Sequence, residues 1–188
     1  MTVDALVEAT ARILVREGFD KASTNRIAEE AGVSVGSLYQ YFPSKEALVV
    51  AVVDRHKRDI LGVVRKAIAE AAQLPPKQAI RVLVAAAVAA HSVDPKLHRV
   101  LAEQIPKFGK LESVEILNRD SYALFKSYLE EHRDALRVTD LDLAAFLCGT
   151  AIEALTHTAV LDHPELLSGD AAEALIDETT RLVVGYLM

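Results

Sequence analysis

Between Ser34 and Tyr41 the sequence groups small, amide and phenolic side chains, and none of them is charged. The residues able to face outward from a helix here are Gly36, Ser37, Tyr39, Gln40 and Tyr41. Glycine and serine let a helix approach a second molecule closely, while amides and hydroxyls can bond base edges and tyrosine hydroxyls can bind phosphates. This surface therefore predicts contact with the major groove of DNA. A helical hairpin that only packs against its neighbours is the alternative.

Two short helices joined by a tight turn are predicted to hold this surface. Thr24 can cap the first helix with its hydroxyl, and Ser34 can cap the second. Gly32 should end the first helix, because glycine adopts the left-handed conformation without a steric penalty, and Pro43 limits the second. The apolar faces are Ile27, Ala28 and Ala31 in the first helix and Val35, Leu38 and Phe42 in the second. The pattern predicts a helix-turn-helix.

Residues that could catalyse a reaction or bind a metal form no recognisable motif. The six histidines do not form HExxH, and a single cysteine, Cys148, cannot form CxxC. Glu153 and His157 lie four residues apart on one predicted helix and could act as an acid–base pair near Cys148. We favour a polar pair in a helix interface or a pocket wall, since few titratable pairs are catalytic. We expect no enzyme, no metal and no cofactor.

Composition indicates a globular protein of the cytoplasm. The chain has 188 residues, of which 51% are apolar, and a net charge of −6. Residues 1–57 hold seven Lys/Arg and eight Asp/Glu, so charge alone does not indicate a nucleic-acid partner. No apolar run approaches the roughly 18 residues of a membrane span, and Asp4 and Glu8 stand where a secretion signal would be basic. The lone Cys148 agrees with a reducing compartment.

Apolar residues recur at helical spacing along the chain and predict an all-α protein of about nine helices. A first helix over 3–17, with an apolar stripe beginning at Val3, should cover the helix-turn-helix, and Ser44 should cap a long fourth helix to about Ala72. Further helices are predicted over 80–91, from Pro95, over 110–133, from Asp140 to about 161, and from Ser168 or Asp170 onward. The predicted fold is an N-terminal three-helix DNA-binding domain at 1–50, joined by the long helix to a larger helical bundle at 51–188.

A ligand pocket is predicted between helices of the larger domain. Its candidate lining residues are His91, Gln104, Phe108, Phe125, Tyr128 and Cys148. Each of them could equally belong to a packed core, but a pocket in a helical bundle needs aromatic residues with a few polar groups among them.

The last two predicted helices carry more apolar residues than the core of one chain requires. This excess predicts a homodimer. Ala145, Gly149, Ala151 and Ala154 would let a partner helix approach closely across a two-fold axis. The predicted interface residues are Phe146, Gly149, Ile152, Glu153, Leu182, Val183 and Tyr186.

The stretch from Ile27 to Ser34, followed by Gly36-Ser37-Leu38-Tyr39-Gln40-Tyr41-Phe42-Pro43-Ser44-Lys45-Glu46-Ala47-Leu48, resembles the DNA-binding signature of TetR-type bacterial transcriptional regulators. The resemblance covers about residues 3–55, and beyond them only the helical layout and the length fit. It implies that two copies bind a partly palindromic operator and that a small molecule in the larger domain releases the DNA.

This resemblance also assigns the residues that should contact DNA. The matching positions are Thr24, Ser34, Val35, Gly36, Ser37, Tyr39, Gln40, Tyr41 and Lys45. Val35 departs from the polar or basic residue that the family often has there. We therefore expect a sequence-specific regulator, a repressor in the family's usual mode, with an effector that these residues do not identify. A helical enzyme that binds small molecules, or a structural helical protein, is the alternative.

Overall fold

The computed structural model describes residues 2–104 and 112–188, apart from the side chains of 112–118. Nine α-helices and two short 3-10 helices lie within these ranges, and no strand does. The α-helices are α1 (Thr2–Glu17), α2 (Thr24–Glu30), α3 (Val35–Tyr41), α4 (Lys45–Ala71), α5 (Pro76–Ser92), α6 (Pro95–Gln104), α7 (Glu112–Glu131), α8 (Leu141–Asp162) and α9 (Gly169–Leu187). The prediction of an all-α protein with about nine helices is confirmed.

The chain forms two compact units, and the long helix α4 contributes its first half to one and its second half to the other. One comprises Met1–Arg58 and Lys96–Val114, and the other comprises Asp59–Pro95 and Glu115–Met188. The domain boundary predicted at residue 50 rests on the helix-turn-helix motif alone, and it stays a prediction. Contacts assign more of α4, and most of α6, to the smaller unit, because Leu97 and Leu101 of α6 belong to its core.

The smaller unit packs α1, α2, α3 and the start of α4 around one apolar core. Its fully buried members include Leu6, Ile13 and Leu14 of α1, Ile27 of α2, Leu38 of α3 and Leu48, Val49, Val52 and Val53 of α4. The apolar stripe of α1 begins at Leu6, since Val3 in the first turn is 40% exposed. A helix of seven residues is too short to be stable alone, so α3 depends on Leu38 in this core.

The turn between α2 and α3 has the predicted glycine geometry but a different cap. Gly32 has φ +68°, the left-handed conformation that closes α2. Ser23, not Thr24, is the N-cap of α2, and its hydroxyl accepts a bond from the Arg26 amide at 3.4 Å. Two adjacent hydroxyl residues can both cap a helix, so the pattern alone did not separate them. The cap predicted at Ser34 is present, with the Ser37 amide 3.0 Å from its hydroxyl.

The larger unit packs α5 against α8 and α9, with part of α7. Its core includes Ile80 and Val84 of α5, Leu129 of α7, Ala144 of α8 and Val183 of α9. α5 begins at Pro76, four residues before the predicted start, because proline is well suited to the first turn of a helix. Asp140 caps α8 as predicted and accepts a bond from the Leu143 amide at 2.9 Å.

Judged by length and composition alone, helix α8 could cross a membrane. It is the one helix among the described residues that meets these two criteria, with a mean hydropathy of 1.4 and one third of the window buried in the chain. The sequence analysis missed this property, because it looked for an uninterrupted apolar run and α8 carries Asp142 and Glu153.

Candidate nucleic-acid interface and effector-binding unit

Helix α3 presents an uncharged surface to solvent. Gly36, Tyr39, Gln40 and Tyr41 are exposed, and about half of each tyrosine is accessible. Ser37 is half-buried, and its hydroxyl forms a hydrogen bond of 2.9 Å with the hydroxyl of Ser34. The side chains that the sequence proposed for DNA contact are thus brought together on one face, next to a capped helix start.

Two of the proposed contact residues also hold the helix-turn-helix together. The hydroxyls of Thr24 and Tyr39 lie 3.1 Å apart, which joins the start of α2 to the middle of α3. Val35 packs against the apolar core, which explains why a residue without polar atoms stands at this position.

Lys45 is tied to the loop that follows α1. Its ammonium donates to the Phe19 carbonyl at 3.0 Å and lies 4.0 Å from the centroid of the Phe19 ring. One of its three donors is therefore used within the chain. Lys45 therefore positions the start of α4, and its contact with DNA stays a prediction.

Most arginines of the smaller unit are paired with carboxylates of the same unit. Arg12 and Arg16 both bind Glu30, at 3.1 and 3.2 Å, and Arg26 binds Glu17. The hydrogen bond from Arg16, reinforced by Arg12, holds the pKa of Glu30 below its usual range. These pairs join α1 to α2, so the three arginines are already engaged within the chain.

A buried histidine pair joins α4 to α6 inside the smaller unit. Nε2 of His56 lies 3.0 Å from Nδ1 of His98, and both side chains are at most 5% exposed. The sequence analysis found no motif among the histidines and missed this pair. Its signal was the helical spacing of His56 from Val49, Val52 and Val53 on an otherwise apolar face.

The predicted pocket residues are divided between the two units. Phe125, Tyr128 and Cys148 lie in the buried core cluster of the larger unit, and His91 is buried in the same unit. Gln104 is buried in the smaller unit, and Phe108 lies outside the described residues. Burial raises the pKa of the Cys148 thiol to about 11, so it is neutral near pH 7 and unsuited to nucleophilic catalysis.

Tyr128 carries a polar group inside this apolar cluster. Its hydroxyl is buried and has no hydrogen-bond partner among the described residues, and burial raises its pKa. The ring stacks on His132, with the ring centroids 4.3 Å apart. A buried hydroxyl without a partner is costly to the folded protein and is a candidate contact for a polar group of a bound molecule.

Replacing Tyr128 by phenylalanine is expected to raise the free energy of unfolding by about 1 kcal/mol, because the substitution removes a buried unsatisfied hydroxyl. Urea denaturation of both proteins measures this. Tyr122→Phe is the matched control, since the Tyr122 hydroxyl donates to Asp142 at 3.0 Å and its loss should lower stability. Equal losses in the two variants would show that the Tyr128 hydroxyl has a partner in solution.

Exposed apolar side chains form a stripe along α8, and one more lies on α9. Leu143, Phe146, Leu147 and Leu155 of α8 and Leu182 of α9 are 39 to 56% exposed. Among the other predicted interface residues, Gly149, Ile152 and Tyr186 are half-buried and Glu153 is exposed. Val183 is fully buried in the chain's own core, so it offers no surface to a second copy and leaves the predicted set.

Comparison with known families identifies the chain. Residues 6–52 match the tetR family of bacterial regulatory proteins, and residues 75–187 match the tetracyclin repressor-like C-terminal domain. The chain belongs to the TetR family. The resemblance noted in the helix-turn-helix therefore extends over the larger unit of this TetR-family protein.

The curated relatives match about a third of this chain. The transcriptional activator FasR of Mycolicibacterium smegmatis is 40% identical over 63 residues, which are 34% of this chain and 29% of that protein. The transcriptional repressor DrrR1 of Streptomyces coeruleorubidus is 40% identical over 58 residues, 31% of this chain and 22% of that protein. The matches thus span less than a third of either relative.

Solved structures of the TetR family share the whole fold. FadR of Bacillus subtilis, in complex with stearoyl-CoA, has a TM-score of 0.73 at 17% identity and covers 98% of this chain and 99% of its own. SmeT, the repressor of the Stenotrophomonas maltophilia multidrug efflux pump SmeDEF, has a TM-score of 0.69 at 20% identity. The match covers 100% of this chain and 91% of SmeT. At these identities the likeness establishes the fold alone.

Proposed function

We propose that this TetR-family regulator is a cytoplasmic repressor that binds a partly palindromic DNA operator as a homodimer and is released by a small-molecule effector. The exposed, uncharged face of α3 carries the proposal. It offers an amide and hydroxyls for base edges and phosphates, and the contact from Thr24 to Tyr39 fixes it before DNA arrives.

A gel-shift titration tests DNA binding. The probe is the duplex that flanks the protein's own gene, in competition with an unrelated duplex of equal length. We expect a discrete complex that survives an excess of the unrelated duplex. Equal competition by both duplexes would contradict sequence-specific binding.

Gly36→Leu should abolish operator binding without harming the fold. A Cβ at Gly36 would meet only the Ser34 hydroxyl, at an ordinary 3.8 Å, so the folded chain has room for a side chain. The residue is exposed, and leucine favours helix more than glycine does. A bulky group at this position should hold α3 away from the groove. Thermal unfolding checks the fold and the gel-shift titration checks binding; retained affinity would remove Gly36 from the interface.

The exposed apolar side chains of α8 and α9 support the homodimer. Exposed apolar surface along a helix of a monomer is a liability when it is large, unless a partner or a membrane covers it. A second copy is favoured over a lipid bilayer, because α8 also packs against α5 and α9 through Ala144, Ala145 and Cys148. Two recognition helices held about one turn of DNA apart, ~34 Å, then bind two half-sites together.

An apolar effector with one polar group fits the larger unit best. Phe125, Cys148 and Leu129 provide apolar surroundings, and the Tyr128 hydroxyl supplies one hydrogen bond. The related fold of FadR binds stearoyl-CoA, so we include long-chain acyl thioesters among the compounds to test. An effector can release DNA only if it binds the free conformation more tightly than the DNA-bound one. Equal affinity for both would contradict induction.

A further inference from the structure

Three arginines between α1 and α2 bind two carboxylates in one continuous network. Oε1 of Glu17 accepts a hydrogen bond from Arg26 at 2.7 Å and another from Arg16 at 3.0 Å. The Glu30 carboxylate accepts one from Arg16 at 3.2 Å and one from Arg12 at 3.1 Å. All five residues belong to the smaller unit. The arginine cluster, Arg12, Arg16 and Arg26, thus holds three positive charges against two negative ones.

The two carboxylates are more enclosed than the guanidinium groups that they bind. The Glu17 side chain is 12% exposed and that of Glu30 is 26% exposed, whereas each arginine side chain is 51 to 53% exposed. A guanidinium has five N–H donors, and the contacts with Glu17 and Glu30 use only some of them. Each arginine is therefore open to an anion from outside, while a carboxylate of its own chain neutralises its charge.

The start of α2 lies beside the surface proposed to bind DNA. In a helix-turn-helix the second helix enters the major groove and the first helix crosses the DNA backbone. Here α2 is the first of these helices, and Arg26 lies in its first turn. Thr24, in the same turn, contacts the Tyr39 hydroxyl of α3 at 3.1 Å. DNA held by α3 therefore brings its phosphates close to the start of α2.

We propose that the arginine cluster is a phosphate-binding site that Glu17 and Glu30 mask, so that the protein binds unrelated DNA weakly. The inference rests on the proposed DNA-binding function. A carboxylate and a phosphate both offer a pair of oxygens to a guanidinium, so the two acids compete with DNA for the same donors. Phosphate contacts add affinity for every sequence alike. Weak binding to unrelated DNA matters because a genome offers about 10⁶–10⁹ competing sites.

Glu17→Gln in the full chain tests the masked site, because Arg26 then loses its carboxylate while Arg16 keeps Glu30. Fluorescence anisotropy with an unrelated duplex measures affinity over a range of salt concentrations. One added phosphate contact steepens the dependence of log affinity on log salt by about 0.9. The ratio of the Glu17→Gln affinity to the wild-type affinity should therefore be about threefold larger at ~50 mM salt than at ~200 mM salt.

Glu30→Gln is a second, independent variant. It removes the closer of the two carboxylates that bind Arg12, at 3.1 Å against 3.8 Å for Glu8. It should steepen the salt dependence in the same direction as Glu17→Gln. Thermal unfolding checks that each variant is folded.

Glu29→Gln is the matched control, because Glu29 is an exposed neighbour on α2 that binds none of the three arginines. It removes the same charge, yet its salt dependence should stay close to that of the wild type. Adding Arg26→Gln to Glu17→Gln should cancel the gain in affinity. Equal salt dependence in Glu17→Gln and Glu29→Gln, or a gain that persists in the double variant, would overturn the masked site. The proposed function fails by a different result, a wild type that does not prefer the duplex flanking its own gene.

Discussion

Phe146→Glu is expected to convert the protein into a monomer and to weaken operator binding by about 10²–10⁴-fold, the usual gain from joining two binding modules. Phe146 is 56% exposed and belongs to the apolar stripe of α8, so a charge there should not disturb the subunit's own core. In a dimer the same charge would be buried without a partner. Sedimentation velocity measures the association state, and fluorescence anisotropy with a labelled operator measures affinity.

Val93→Glu is the matched control, because Val93 is 63% exposed and lies outside the stripe. It should remain a dimer with normal affinity. Gly149→Leu is a second probe, since a Cβ at Gly149 meets nothing within 4 Å in the single chain and would clash only with a partner. A Phe146→Glu protein that sediments as the wild type does and binds DNA normally would refute the proposed interface.

Gln40→Ala is expected to remove about 1–3 kcal/mol of discrimination at one base pair of each half-site. The Gln40 side chain is exposed in the last turn of α3, and an amide can bond an adenine edge twice. Affinity for operators carrying each base at every position measures the loss. Gln73→Ala, an exposed glutamine outside α3, should leave the preference unchanged. An unchanged base preference in Gln40→Ala would remove Gln40 from base recognition.

The sequence predicted best the features that depend on local chemistry. Gly32, Ser34 and Asp140 have the turn and cap geometries expected of their types, because those geometries depend on a few neighbouring atoms. The outward face of α3 followed from the inward position of Leu38, since one buried residue fixes the rotation of a two-turn helix. The all-α fold followed in the same way from apolar spacing.

Features that depend on distant residues could not be predicted. Arg137 binds the carbonyls of Gly185 and Tyr186 at the end of α9, although nothing in its own segment suggests a cap for a helix 48 residues away. His91 meets Glu153 only because α5 packs on α8, and helical spacing does not show which faces meet. Val183 was assigned to a partner because an apolar face gives no sign of whether its own chain covers it.

Selection of bound duplexes from a random DNA library tests most directly whether this TetR-family protein recognises a specific operator through α3. The wild type should enrich one partly palindromic sequence whose half-sites lie about one helical turn apart, ~34 Å. Gly36→Leu, folded to the same extent, should enrich none. Failure of the wild type to enrich any sequence beyond the level reached by Gly36→Leu would contradict the proposed function.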